Sequence, residues 1–243
     1  MQKYTLKEHL LEIKKRFLVV FVFFITAFAI CYSFREEVFE IFLTPLADII
    51  DKEGRRIIYT GLTEAFFSYI KLSIFVAFAI VIPVICYQLY AFIAPGLLAG
   101  EKRLIILILS FSPVLFYIGS FFVFYFVMPR AWEFFLSYEN NNINIPLVLE
   151  ARISEYLDLV IQLTFAFGMA FQLPVIMVIL GMLGVVSSNF LKSKRRISIV
   201  IIFILAAIFT PPDVISQIAL AIPLLLLYEI SIILCKLVEN KRF

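Results

Sequence analysis

Four long segments of this chain contain no charged side chain. They run from Phe17 to Phe34, Leu72 to Gly100, Leu104 to Pro129 and Leu159 to Leu191. An apolar stretch of about 18 or more residues is long enough to cross a bilayer as a helix. Across the whole chain 63% of residues are hydrophobic and 16% are charged, against about 45–50% and 25% in soluble domains. The chain is therefore predicted to be a membrane protein, and soluble enzymes are excluded.

The apolar segments lack the alternation of apolar and polar residues that marks a strand of a membrane β-barrel. The predicted fold class is therefore all-α, a polytopic membrane protein. A cleaved signal peptide has an apolar core of about 7–15 residues. Since the first segment is longer and follows a charged stretch, we expect it to be retained as a membrane span.

Charged and turn-forming residues divide the predicted single membrane domain, residues 1–243, into six transmembrane helices. We predict the spans at about 17–34, 65–92, 104–128, 159–180, 197–209 and 214–235. A capping box, Thr5 to Glu8, opens an amphipathic helix that leads into the first span. After this span, an apolar stripe within 38–50 predicts an amphipathic helix at the membrane interface, bent near Pro45.

Basic residues are distributed unevenly between the two sides of the predicted bundle. The termini and the loops on their side carry fourteen lysines and arginines, and the two long polar segments on the opposite side carry six. Short cytoplasmic loops collect lysine and arginine. Both termini are therefore predicted to be cytoplasmic, in a bacterial inner membrane or in an organellar membrane of bacterial origin. Lys71, near the outer end of the second span, is expected to extend its ammonium group toward the interface.

The sequence contains no motif for catalysis or nucleotide binding. His9 is the one histidine, so neither an H-E-x-x-H zinc site nor a histidine-based nucleophilic site is predicted. Cys31, Cys86 and Cys235 are scattered through apolar segments, which predicts core positions rather than a metal site or a disulfide. We expect no enzyme activity, no metal and no cofactor.

Several polar residues in or near the spans have a structural interpretation. Glu12 can pair with Arg16 one helical turn later, and Glu101 can complement the dipole at the start of the third span. Gln172 can bond a neighbouring helix, and Glu229 can form a structural pair near the end of the last span. On the residues alone, these structural interpretations are favoured.

A series of short motifs runs through nearly the whole chain. They are His9-Leu10-x-Glu12-x-x-x-Arg16, Thr44-Pro45-Leu46, Ile70-Lys71-Leu72, Tyr87-Gln88 with Ala91-Phe92-Ile93-Ala94-Pro95-Gly96-Leu97, Glu101-Lys102-Arg103, Phe165-Ala166-Phe167-Gly168, Thr210-Pro211-Pro212-Asp213-Val214-x-Ser216-Gln217 and Ala221-Ile222-Pro223. In this order, the motifs resemble those of TatC, a subunit family of the twin-arginine translocase.

The resemblance implies an inner-membrane receptor with six spans that recognises the twin-arginine signal peptides of folded cargo. It also implies partners: the single-span subunits TatA and TatB, further copies of the same chain, and membrane lipid, but no nucleic acid. Export by such a complex is driven by the proton gradient rather than by bound ATP.

The resemblance further implies that Glu12 and Glu101 bind the two arginines of the signal peptide. Consecutive residues of an extended peptide point to opposite sides, so acceptors from two different segments are needed. Each carboxylate can hold a guanidinium through charge-assisted hydrogen bonds. The other residues expected at this site are His9, Lys14, Arg16, Gln88 and Phe92.

Two positions depart from the family pattern. Lys14 stands where the family usually has arginine, and it keeps the charge without the bidentate guanidinium. Gln172 stands where the family usually has glutamate within the fourth span, and an amide cannot titrate. An essential proton-relay role at position 172 is therefore not expected.

The fifth predicted span is short. Its thirteen residues, 197–209, rise about 20 Å, whereas the hydrocarbon core is about 30 Å thick. The turn that follows contains Thr210, Asp213 as a candidate N-cap of the sixth helix, and Gln217 one turn later. We hypothesise that a TatA or TatB helix docks against spans five and six, with Gln172 as a further intramembrane polar residue.

Two other functions remain as alternatives. A secondary transporter of a small solute often has repeated halves and broken helices around a midplane site, but the sequence shows no convincing repeat and few deep polar residues. A purely structural membrane scaffold has no affinity for a signal peptide.

Overall fold

The computed structural model describes residues 6–50, 57–96, 99–139, 149–210 and 214–242. Thr5 of the predicted capping box and Asp213 lie outside these ranges. For Glu8, His9, Pro45 and Glu101, the backbone is described and the side chain is not.

The described backbone is almost entirely helical, which confirms the all-α fold class. Its helices are α1 (Leu6–Ser33), α2 (Arg35–Ile50), α3 (Glu64–Ile93), α4 (Ala99–Phe122), α5 (Met128–Leu136), α6 (Ile153–Ala170), α7 (Leu173–Met182), α8 (Ser188–Ser193), α9 (Arg195–Phe209) and α10 (Val214–Arg242). A short 3₁₀ helix, Ala94–Gly96, follows α3, and a π-helical turn, Val123–Val127, joins α4 to α5.

Five helical segments of the described chain are long and apolar enough to cross a membrane. They are Leu10–Ser33, Glu64–Ile93, Ile105–Leu136, Ile153–Met182 and Ser216–Glu239. Each contains most of one predicted span. The helix at the remaining predicted span, α9, has 15 residues and a length of about 22 Å. The count of six spans and the orientation of the termini stay predictions.

Several helices extend beyond the predicted spans. The helix of the third span continues past 128 to Leu136 through the π-helical turn, with Pro129 in the first turn of α5, where its missing N–H is tolerated. The helix of the fourth span begins at Ile153 rather than near 159 and is interrupted between α6 and α7. The α1 helix joins the predicted amphipathic segment to the first span without a break.

Packing divides the chain into two compact units. The first contains Met1–Phe39 and Tyr69–Val114, and the second contains Glu40–Ser68 and Leu115–Phe243. Most of α2 and the first turns of α3 thus belong to the second unit. The single membrane domain predicted from the sequence stays a prediction.

In the first unit, α1 packs on the middle of α3. Ala27 and Cys31 of α1 form a buried cluster with Ala77 and Val81 of α3. Small side chains at these positions let the two helices approach closely, as is common inside membranes. Only 11% of the α1 span is buried, so most of this helix is free to face lipid.

In the second unit, the end of α4 crosses α6 at two glycines. A methyl group on Gly119 would lie 2.7 Å from the carbonyl oxygen of Phe167, and one on Gly168 would lie 2.4 Å from the ring of Phe116. Phe116 and Phe167 are themselves fully buried. The close approach of these helices therefore depends on the absence of a side chain at both positions.

Candidate functional site

The first unit brings together the beginning of α1 and the end of α3. Glu12 and Arg16 lie one turn apart on α1, as the spacing predicts. The Nε and Nη2 atoms of Arg16 donate to Oε1 of Glu12 at 3.1 and 2.5 Å. Arg16, on the same helix, therefore holds one carboxylate oxygen of Glu12 in place.

Arg16 also reaches α3. Its Nη1 donates to Oε1 of Gln88 at 3.2 Å, and its Nη2 donates to the carbonyl oxygen of Ala91 at 2.8 Å. Ala91 lies in the last turn of α3, where carbonyl groups have no partner within the helix and carry the negative end of the helix dipole. Three nitrogen atoms of the Arg16 guanidinium thus link Glu12 to the end of α3 by hydrogen bonds.

Within the described part of the chain, one oxygen of the Glu12 carboxylate accepts no hydrogen bond. The side chains of Glu12 and Arg16 are 28% and 23% exposed, so the pair is partly shielded from water without being closed. A carboxylate offers about four lone-pair positions, and both described hydrogen bonds of Glu12 use Oε1. Glu12 can therefore accept a further cationic donor while it stays bonded to Arg16.

The other predicted site residues lie on α1, α3 and the start of α4, all within the first unit. Phe92 is half-buried on the last turn of α3, and Lys14 is exposed on α1 beside a shallow apolar groove with Leu18. Glu101 is the third residue of α4, and His9 lies in the first turn of α1. The side chains of Glu101 and His9 lie outside the described residues. That they share one site with Glu12 therefore stays a prediction.

The predicted intramembrane polar residues belong to the second unit. Gln172 is buried at the interruption between α6 and α7. Thr210 is buried at the end of α9, where its hydroxyl donates to the carbonyl of Ala206 at 2.8 Å. Gln217 of α10 donates through Nε2 to the carbonyl oxygen of Phe203 at 3.2 Å. Gln217 thus joins α9 to α10.

The two residues predicted to have structural roles near span ends lie on different helices. Lys71 is exposed on α3 two turns after its start. Glu229 of α10 accepts a hydrogen bond from Nη2 of Arg195 at 2.7 Å, which is a structural pair of the kind predicted for it.

Sequence reasoning missed a second anchored carboxylate, Glu64 at the start of α3. Its side chain is 6% exposed, and it accepts hydrogen bonds from Nη2 of Arg152 at 3.1 Å, from the hydroxyl of Ser154 at 2.7 Å and from the backbone N–H groups of Thr60 and Gly61 at 3.0 Å. The hydrogen bond to Glu64 raises the pKa of the Arg152 guanidinium above its usual value. Glu64 fastens the turn before α3 to the start of α6. Since Arg152 is 88 residues away, no periodicity signals this pairing.

Known proteins that are similar to this chain belong to the same family as the sequence motifs indicate. The family model for TatC, the Sec-independent protein translocase protein, matches residues 8–223. The Sec-independent protein translocase protein TatC of Rickettsia prowazekii (strain Madrid E) is 57% identical over 242 residues, which cover 100% of this chain and 96% of that protein. The protein of the same name from Magnetococcus marinus is 43% identical, with 99% of this chain and 87% of that protein covered.

The fold is also similar to that of a solved structure. A crystal structure of the twin arginine translocase receptor TatC has a TM-score of 0.77 to this chain at 38% sequence identity. The alignment covers 96% of this chain and 100% of that one. The likeness therefore extends over both compact units.

Proposed function

The chain belongs to the TatC family of Sec-independent protein translocase proteins, and on this premise we propose that it is the core receptor subunit of a twin-arginine protein translocase. It binds the twin-arginine signal peptides of folded proteins and assembles with TatA- and TatB-type subunits in a bacterial inner membrane. Export is driven by the proton gradient, and the chain itself catalyses no chemical step and holds no cofactor.

The observation that carries this proposal is the anchored carboxylate of Glu12. A side chain that is already held loses little conformational freedom when it binds, so a fixed acceptor binds a guanidinium more tightly than a mobile one. The bond between guanidinium and carboxylate is charge-assisted and stronger than a neutral hydrogen bond. Partial shielding from water at the Glu12 site strengthens it further.

Recognition of two arginines requires a second acceptor on another segment. We assign Glu101 as this acceptor, and its backbone position in the first turn of α4, within the same compact unit, supports the assignment. One arginine of the signal is bound by Glu12 and the other by Glu101, while Gln88 and Phe92 border the site from α3. A single-arginine peptide uses one acceptor and binds more weakly.

Site-specific crosslinking tests this assignment. A photo-reactive amino acid is placed at position 12 or 101, one at a time, so that the other acid still binds one arginine of the peptide. As a control it is placed at position 36 on α2, where the Glu36 side chain is 75% exposed. We expect crosslinks to a twin-arginine peptide from positions 12 and 101, a weak yield from position 36, and loss of the crosslinks when the two arginines are replaced by lysine. Equal yields from all three positions would contradict the proposal.

Two measurements on the same protein distinguish the receptor from the alternative functions, a secondary transporter and a structural scaffold. A secondary transporter takes up a solute when it is reconstituted alone in proteoliposomes with a proton gradient, and the receptor is expected not to. A structural scaffold supports complex assembly without any affinity for the signal peptide. Peptide binding without solute uptake is the result expected of the receptor.

The partner proposal concerns α9 and α10 of the second unit. The α9 helix is shorter than the hydrocarbon core, and a short helix is accommodated by local thinning of the bilayer or by association with another helix. Gln217 is half-buried and Thr210 is buried at the junction of these helices, with Asp213 between them in sequence. We infer that a TatA- or TatB-type helix docks here, where the oxygen of the Gln217 amide accepts no hydrogen bond from the described residues.

A further inference from the structure

Residues 183–196, between the end of α7 and the start of α9, form a segment with both apolar and cationic side chains, which we call the basic platform. It contains α8 and four basic residues within five positions: Lys192, Lys194, Arg195 and Arg196. All of it lies in the second unit. None of these residues belongs to the signal-peptide site proposed above.

The basic platform is held in place by α10. Glu239 of α10 accepts hydrogen bonds from the backbone N–H of Ser188 at 2.7 Å and from the Ser188 hydroxyl. The hydroxyl of Tyr228 donates to the carbonyl oxygen of Leu191 at 2.8 Å. Ser188 and Leu191 are buried. A helix of six residues, too short to be stable alone, is thereby held at its first residue and at Leu191.

The charges of the basic platform are not neutralised within the described chain. The two α10 carboxylates that contact it are already engaged, Glu239 with Ser188 and Glu229 with Arg195. Lys192, Lys194 and Arg196 are exposed, and no carboxylate in the described ranges forms an ion pair with them. Three positive charges therefore remain for a partner.

Large apolar side chains accompany these charges. Leu183, Val185 and Phe190 are 56%, 70% and 51% exposed, and the ammonium nitrogen of Lys194 lies 5.8 Å from the centre of the Phe190 ring. Exposed apolar side chains beside lysine and arginine are typical of segments that lie in the membrane interface, with the apolar groups at the acyl boundary and the cations at the headgroups. On a surface that faces only water, exposed apolar side chains beside cations would not stabilise the protein.

We propose that the basic platform binds the phosphate headgroups of anionic phospholipids. Its position fits this partner, because the candidate span Ile153–Met182 ends immediately before it and the predicted span 197–209 begins immediately after it. Basic residues close to a membrane helix attract anionic lipid, and the guanidinium of Arg196 can bond two phosphate oxygens at once. The bound lipid fixes the start of α9, the shortest of the predicted spans.

The test uses the full chain in nanodiscs of mixed phosphatidylcholine and phosphatidylglycerol. Native mass spectrometry then counts the phosphatidylglycerol and phosphatidylcholine molecules that stay bound to the released protein. The platform variant is Lys192→Gln, Lys194→Gln, Arg196→Gln. The matched control is Lys7→Gln, Lys14→Gln, Lys15→Gln, which removes the same charge from exposed positions of α1. A second control, Arg195→Gln with Glu229→Gln, removes a pair without changing the net charge.

We expect the platform variant to lose about tenfold or more of its preference for phosphatidylglycerol, since each cation near an anionic surface contributes roughly fivefold. Both controls should keep most of that preference, because the three α1 lysines are spread over nine positions whereas the basic residues of the platform lie within five. An equal loss in the α1 control would show that only net charge matters and would overturn the proposal. So would a platform variant that keeps its lipid preference but loses crosslinking to a partner subunit, because the basic platform would then be a protein-binding surface.

Discussion

Arg16 has a larger role than an ordinary ion pair on a helix surface. A pair at i and i+4 stabilises an isolated helix by about 0.2–0.5 kcal/mol, and such a pair needs no contact outside its helix. Arg16 adds bonds to Gln88 and to the carbonyl of Ala91, so it fixes the position of Glu12 relative to α3. We infer that Arg16 is a positioning residue that acts on signal-peptide binding through Glu12.

A double-mutant cycle tests this role. Arg16→Gln is expected to weaken binding of a twin-arginine peptide by about tenfold, the scale of one charge-assisted hydrogen bond, because Glu12 is no longer held. In a Glu12→Gln background, the same change should have little further effect. Isothermal titration of the protein in detergent gives the four affinities.

Lys15→Gln is the matched control for this cycle, since it removes the same charge from the neighbouring exposed position. Its effect should be small in both backgrounds. If Arg16→Gln lowers the affinity equally with and without Glu12, Arg16 acts on the fold in general and the positioning role is wrong.

The sequence predicts some contacts of the two anchored carboxylates and not others. The Glu12 and Arg16 pair follows from a spacing of four on one helix. The contacts of Arg16 with Gln88 and Ala91 span 72 and 75 residues, and no local pattern encodes them. Glu64 is the same case, because its partners Arg152 and Ser154 are brought to it only by the packing of the second unit.

At the scale of helices, the crossing of α4 and α6 is set by two glycines. Gly119→Ala places a methyl group against the Phe167 carbonyl, and Gly168→Ala places one against the Phe116 ring. Neither neighbour can move freely, since both are buried. We expect each change to lower the free energy of unfolding by about 1–3 kcal/mol, the usual cost of overpacking a core.

Thermal unfolding of the purified protein in detergent measures this cost. Gly61→Ala is the control, because a methyl group there would meet its nearest described neighbour, Glu64, only at 3.7 Å. Its transition temperature should stay near that of the parent protein. Unchanged transitions for Gly119→Ala and Gly168→Ala would mean that the helices can separate at this crossing.

A second prediction at this scale concerns the docking surface on α9 and α10. Gln217→Leu removes the amide that donates to Phe203 and that we expect to accept a bond from a partner helix. Crosslinking to a TatA- or TatB-type helix and export should both decrease, while binding of the signal peptide is unaffected. Full crosslinking yield in the variant, with crosslinks that map to spans one and three, would contradict the docking proposal.

The sequence predicts the helices better than their ends. Uncharged segments located the membrane spans, because lipid excludes charge. Helical hydrogen bonds do not stop at that boundary, so α5 continues through Arg130 and α6 begins before Asp158. The interruption at Gln172 was not predicted as a break, although Pro174 in the next turn provides the physical reason: proline cannot donate the hydrogen bond that would continue α6.

For the whole molecule, the distribution of basic residues predicts the orientation in the membrane. Single cysteines at Asp51 and Asn141, in the two long polar segments, are expected to react with an impermeant thiol reagent from outside intact cells. A cysteine at Ser193 on α8 should not react. Cys31, Cys86 and Cys235 are buried and should contribute little background. Labelling of position 193 in intact cells would reverse the orientation.

We propose that Glu12 and Glu101 together hold the two arginines of a signal peptide. This proposal is tested most directly by the affinity of a twin-arginine peptide for Glu12→Lys, Glu101→Lys and their double variant, with Glu36→Lys on α2 as the control for charge reversal. Replacing either acid by lysine turns an attraction into a repulsion, so binding should be lost in all three variants. Glutamine at the same positions should weaken binding less, since its amide still accepts one neutral hydrogen bond.

An unchanged transition temperature shows that each variant is folded. We expect binding to be lost in the three variants but not in Glu36→Lys. A folded double variant that binds the peptide as tightly as the parent chain would contradict a site formed by these two acids.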